Sequence, residues 1–270
     1  MGAKVFFATV WKEFRVRLHA YPISFMVSCL TTGIYTNLGA WLMYHCFFEG
    51  RLSSDFSLYT GTGDYMSYVI VGSCTYLFVV RTCLNVSRTL VTELREGTLD
   101  SLMLAPFHRS AYFLGNMALQ TATTSLELLI SVLIGLFFGL QVHHFSLGKF
   151  IIAVILSLYG FFGLSMMLGC LMLYTRNTYI TQNTLFSLIF LLCGITFPKE
   201  YLPKALQYIG ALLPVTDAVD LLRTSLLGGM TAEDWSATAM RLFVLSSIYI
   251  LMGFPLMEKA ERIALEKMEG

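Results

Sequence analysis

Two charged residues stand where water should not reach. Arg81 and Glu127 each fall inside a long apolar stretch, 65–84 and 116–140. At about 1.5 Å per helical residue, Glu127 lies roughly 15 Å deep. A carboxylate at that depth is costly in lipid and normally faces protein or a wetted cavity. Its own stretch offers no basic neighbour, so a cavity-facing Glu127 is one expectation. An Arg81–Glu127 pair is another, since consecutive helices pack together. Arg81 also suits snorkelling towards the nearer boundary. Gln182 and Asn183 open a further apolar stretch, where amides serve as interhelical glue or as a polar lining. Asp217, Asp220 and Arg223 share one face of a helix, the pattern of a solvated ion-pair stripe.

Bond-making chemistry finds little support. His143 and His144 have no third metal ligand nearby. The cysteines, Cys29, Cys46, Cys74, Cys83, Cys170 and Cys193, lie in apolar stretches without metal or redox spacing, as small packing residues do. No H-E-x-x-H, G-x-S-x-G or paired-carboxylate arrangement occurs, which argues against an intramembrane enzyme. The phosphate-binding pattern G-x-x-x-x-G-K-[ST] is also missing; Gly148-Lys149 lacks the rest of it.

The elements that must hold these residues are membrane helices. The chain has 270 residues, of which 56% are apolar and 13% charged. A soluble domain carries about 25% charged residues. The net charge of +1 gives no reason to expect nucleic acid as a partner. A span needs about 20 mostly apolar residues. Six stretches fit: 21–47, 65–84, 116–140, 150–174, 179–197 and 235–257. None alternates as a barrel strand would, so all six are expected to be α-helical. Residues 4–20 read as an interfacial helix, with Phe7, Trp11 and Phe14 on its apolar arc. Lys and Arg concentrate on one side of this topology, which expects both termini in the cytoplasm.

Two longer connections remain. The cytoplasmic one, 93–106, reads as a helix end and a short new helix. Gly97 suits a left-handed stop, Thr98 an N-cap, and Asp100 the first turn, where the dipole favours an anion; Pro106 ends it. Leu99, Leu102 and Met103 offer an apolar face for docking into a partner's groove. In the outer segment, 198–234, Pro198, Pro203 and Pro214 cut the chain into pieces of about ten residues. Such pieces reach about half a bilayer, as re-entrant half-helices or as a surface hairpin.

Glu93, Arg95, Glu96, Gly97, Thr98, Leu99, Asp100, Leu102, Pro106 and Arg109 resemble the cytoplasmic signature of type-2 ABC exporter permeases. At Gly115-Asn116 this chain lacks the lysine of that signature. Phe197-Pro198, Leu202-Pro203 and LLPVTDAVDLLR, from Leu212 to Arg223, resemble the family's outer ending. The resemblance spans nearly the whole chain, and its wording is nearest to drug and lipo-oligosaccharide exporters. It implies a coupling helix at 93–106 that docks on a separate ATPase. ATP and Mg would bind to that ATPase, with no cofactor in this chain. It also implies two ATPase copies and a second permease, identical or paralogous, in a bacterial or archaeal plasma membrane. Phe197, Pro198, Pro203, Pro214, Asp217, Asp220 and Arg223 would belong to an outer gate. A secondary transporter or channel using Arg81 and Glu127 is the alternative; it would show two similar halves and more intramembrane charge.

Overall fold

The computed structural model describes residues 2–15, 22–47, 56, 59–60, 64–95, 109–141, 145–175 and 178–266. Every regular element among them is a helix. Lipid imposes this, because a spanning backbone must satisfy its own polar groups. In chain order the helices are α1 (Gly2–Phe14), α2 (Pro22–Leu42), α3 (Tyr65–Arg95), α4 (Arg109–Phe137) and α5 (Leu147–Thr175). They continue with α6 (Thr178–Leu192), α7 (Lys204–Ala211), α8 (Pro214–Leu227) and α9 (Ala232–Glu266). A π-helical turn, Met43–Phe47, prolongs α2, and a 3-10 turn, Lys199–Tyr201, precedes α7.

Four helices are long and apolar enough to cross a bilayer, over Tyr65–Cys83, Leu114–Phe137, Leu147–Met172 and Ala232–Met257. Counted as one span, α7 and α8 make a fifth, bent by 87°. The two other stretches expected to cross differ from these. α2 has 21 residues, but Ser24, Ser28, Thr31, Thr32, Thr36 and Asn37 dilute its apolar run. α6 has 15 residues and stops at Leu192, five short of the expected end. At 1.5 Å per residue it reaches only about 22 Å.

α5 is the hub. α9 lies along it, α3 packs on it, and α8 crosses it. Phe161, Met172, Ile189, Leu221 and Leu242 fill the space between them. α4 joins through α3 and α2, with α1 laid against its start. The helices are inside out compared with those of a soluble protein. On α4, Asn116, Gln120, Thr123, Thr124, Glu127 and Ser131 are buried, while Leu129, Leu133, Leu136 and Phe137 are exposed. Apolar side chains gain nothing by leaving lipid, so polar bonds and close packing hold the bundle. One such bond is Asn37 Nδ2 donating to the Ser131 carbonyl at 3.0 Å, which joins α2 to α4.

α1 keeps Phe7, Trp11 and Phe14 exposed and buries Thr9. This is the surface expected of a helix lying in the interface. Gly115 makes its docking possible. A Cβ there would stand 3.0 Å from both the Phe6 carbonyl oxygen and the Thr9 Cβ. The glycine of the cytoplasmic signature thus has a steric task in this chain.

Candidate functional site

The densest charge chemistry surrounds α8. Its sequence explains its start: Pro214 takes the first helical position, where no N–H is needed, and Asp217 sits in the first turn. Thr216 Oγ1 donates to the Gly210 carbonyl at 2.6 Å, and Tyr249 Oη to the Leu212 carbonyl at 3.2 Å. These bonds fasten the corner between α7 and α8.

The three charges of the shared face each reach a different element. Asp217, 1% exposed, accepts two hydrogen bonds from Arg241 of α9: Nε to Oδ2 at 2.8 Å and Nη2 to Oδ1 at 2.5 Å. Asp220 pairs with Lys199 at 2.5 Å. Burial alone would lower the pKa of Lys199, but the Asp220 carboxylate outweighs it by charge and hydrogen bond. The ammonium titrates above the ordinary lysine value. Arg223, buried, donates through Nη2 to the carbonyls of Gly194 at 2.9 Å and Ile195 at 3.1 Å. Its guanidinium also lies 3.6 Å over the ring of Tyr68 on α3, a cation–π contact strengthened by exclusion of water. Tyr68 donates its own hydroxyl to the same Gly194 carbonyl at 3.1 Å.

The solvated stripe read from the sequence is therefore corrected. Helical spacing put the three charges on one face, but the neighbours that cover it lie elsewhere in the chain. Sequence reasoning also missed Gly72. A Cβ at this position would sit 2.2 Å from the Ile195 carbonyl oxygen and 2.5 Å from Arg223 Nη2. Only glycine lets α3 come this close to the turn after α6. Phe197 and Pro198 lead from that turn into the 3-10 turn; Pro198 is buried, and Pro203, which is exposed, precedes α7. α7 leaves Tyr208, Ile209 and Leu212 at the corner largely uncovered.

The second charged locus is deep in the bundle. Arg81 Nη2 and Glu127 Oε1 are 3.0 Å apart, with side-chain exposures of 40% and 6%. Glu127 belongs to the buried polar face of α4, where Gln120 Nε2 donates to Thr124 Oγ1 at 2.9 Å. Sequence reasoning singled out only Glu127 and missed the rest of that face, whose signal was polar residues at helical spacing, 116, 120, 123, 124, 127 and 131. Asn183 on α6 is exposed; Gln182 lies in the same helix, its side chain outside the described residues. Glu93 and Arg95 fall in the last turn of α3. Glu96, Gly97, Thr98, Leu99, Asp100, Leu102 and Pro106 lie outside the described residues. Among those described, no group of three His, Cys, Asp or Glu gathers as a metal site.

A bundle of long apolar helices with a sharply bent, charge-clamped helix pair is the architecture of a multi-pass membrane protein. The model of the ABC-2 type transporter family matches residues 4–227. The chain belongs to that family and is the membrane subunit of an ABC transporter. Members of the family work with an ATPase partner. No single curated protein matches the chain.

Proposed function

We propose that this chain exports an amphipathic or lipid-like cargo, such as a drug, a peptide or a lipid-linked glycan, and is driven by two copies of a separate ATPase. The observation that carries the reading is the family match across 4–227 together with the TELREGTLD run, which begins in the last turn of α3. In this account α2 and α6 complete six spans across a plasma membrane, with both termini in the cytoplasm. The 93–106 segment docks on the ATPase, which holds ATP and Mg. Closure of the ATPases moves α3 through that handle. α3 is one helix of 31 residues, about 46 Å long, and carries Tyr68 and Gly72 at its far end. A push on the handle therefore bears on the turn that Arg223 holds, and the α7–α8 corner opens as the outer gate. Arg81, Glu127, Gln182 and Asn183 line the route.

A second permease chain completes the cavity. The support is the outward face of α2, where Ser24, Ser28, Thr31 and Tyr35 are exposed at helical spacing. Hydrocarbon offers such a stripe no hydrogen bonds, whereas a second chain or a wetted path does. The decisive experiment is purification of the tagged chain from its own membranes. An ATPase subunit should copurify with the wild type and be lost when residues 97–102 become a Gly-Ser linker, the chain remaining in the membrane. Transport in the absence of any ATPase would instead favour a secondary transporter or channel working through Arg81 and Glu127.

A further inference from the structure

The outward side of α1 is divided lengthwise into two unlike stripes. Phe7, Trp11 and Phe14 recur at helical spacing as an aromatic stripe, and Lys4, Lys12 and Arg15, also exposed, run beside it. Lys4, Trp11 and Arg15 lie nearly above one another, at i, i+7 and i+11, so the seam between the stripes passes beside Trp11. The carboxylate of this helix is turned away. Glu13 stands one turn from the buried Thr9 and is half-buried on the side that docks on α4. Neither Lys4 nor Arg15 joins an ion pair among the described residues.

The seam is ordered by its own contacts. The Arg15 guanidinium stands 5.2 Å over the Trp11 ring, and that ring stacks on Phe14 at 5.9 Å. A guanidinium set on an aromatic face keeps its N–H edge for an oxyanion, and its planar fork fits a phosphate. The docking contacts give the height. α1 meets α4 at Ala111 and Gly115, on either side of the exposed Leu114, where the crossing portion of α4 begins. That is the level at which headgroups give way to acyl chains. Charge then selects among the surfaces that could cover this face. A second copy packed on it about a two-fold axis would set basic stripe against basic stripe. A zwitterionic headgroup covers the rings but brings a cation of its own to Lys4 and Arg15. An anionic headgroup satisfies both stripes.

We propose that this face of α1 recruits anionic phospholipid, with Phe7, Trp11 and Phe14 among the upper acyl carbons and Lys4 and Arg15 on the headgroup phosphate. The test uses the full-length chain reconstituted in phosphatidylcholine bilayers. Rising fractions of phosphatidylglycerol or phosphatidylcholine, each brominated on the upper acyl carbons, quench tryptophan that lies beside them. The difference between the wild type and Trp11→Phe isolates the signal of Trp11 from those of Trp41 and Trp235. Half-quenching of Trp11 should need less phosphatidylglycerol than phosphatidylcholine, by about fivefold for each of the two cations. Lys4→Gln and Arg15→Gln should each forfeit one such factor, and Lys4→Arg none. Salt at 1 M, where the Debye length falls to about 3 Å, should narrow the gap in the unsubstituted chain, so the test stands even if a variant misfolds. Equal quenching by the two lipids overturns the proposal. So does a preference for phosphatidylglycerol that survives salt and both substitutions. Quenching by neither lipid overturns it too, since protein would then cover the aromatic stripe.

Discussion

The charges around α8 and the pair in mid-membrane are both ionic, yet they are built to opposite specifications. At α8 each charge is committed: Asp217 holds Arg241 twice, Asp220 holds Lys199, and Arg223 is shared between two carbonyls and an aromatic face. The Arg81–Glu127 pair rests on one 3.0 Å contact, with the arginine side chain 40% exposed. Charges bound on several sides fix a geometry. A pair that rests on a single contact exchanges its partner for water more readily than one held twice, as Asp217 is by Arg241. Under the proposed function, the first cluster would hold the outer gate in shape and the second would take part in events along the path.

The contrast can be broken by substitution. The largest expected effect is at Gly72→Val. With a carbonyl oxygen 2.2 Å from the new Cβ, α3 cannot seat, and the chain should not survive size-exclusion chromatography as a folded species. Arg223→Met comes next. It strips two charge-assisted hydrogen bonds and the cation–π contact, a loss of about 3 kcal/mol or more in detergent-phase unfolding. Arg241→Met should cost about 3 kcal/mol, because it strands Asp217 without a counter-ion in a buried setting. Asp217→Asn should cost roughly half as much, because the stranded Arg241 is 54% exposed and can turn to solvent. Equal losses at the two positions would contradict the clamp. Glu127→Gln should cost about 1 kcal/mol of stability yet depress ATP-driven transport strongly; unchanged transport and assembly would remove Glu127 from the path. Smallest is Lys199→Met, below about 1 kcal/mol for a partly exposed pair. The raised pKa of Lys199 means its contribution is complete below the ordinary lysine range. It fades only as pH climbs through the folded value, so the cost of Lys199→Met should not vary between about pH 6 and 9.

Much of the helical plan was legible because lipid leaves a chain few options. Runs of apolar residues read directly as the crossing parts of α3, α4, α5 and α9. Pro198, Pro203 and Pro214 marked where the outer segment breaks, and α7 and α8 begin directly at the last two. The Arg81–Glu127 contact was one of the expectations, because consecutive helices pack together. What local pattern could not show was the other half of each long-range contact. Nothing in the spacing of Asp217, Asp220 and Arg223 points to Arg241, Lys199 or the carbonyls of Gly194 and Ile195. Gly72 was silent for the same reason: a glycine within an apolar run reveals its task only when the backbone it accommodates is in place.

The central claim is a two-ended machine, with a motor handle after α3 on one side of the membrane and the α7–α8 gate on the other. Cysteines introduced one at a time at Asp100 and Lys204, in a chain whose exposed Cys46 is serine and whose five other cysteines are buried, can be tested with a membrane-impermeant maleimide in intact and permeabilised cells. The account expects Lys204→Cys to label at once and Asp100→Cys only after permeabilisation. Labelling of both from the same side would contradict it.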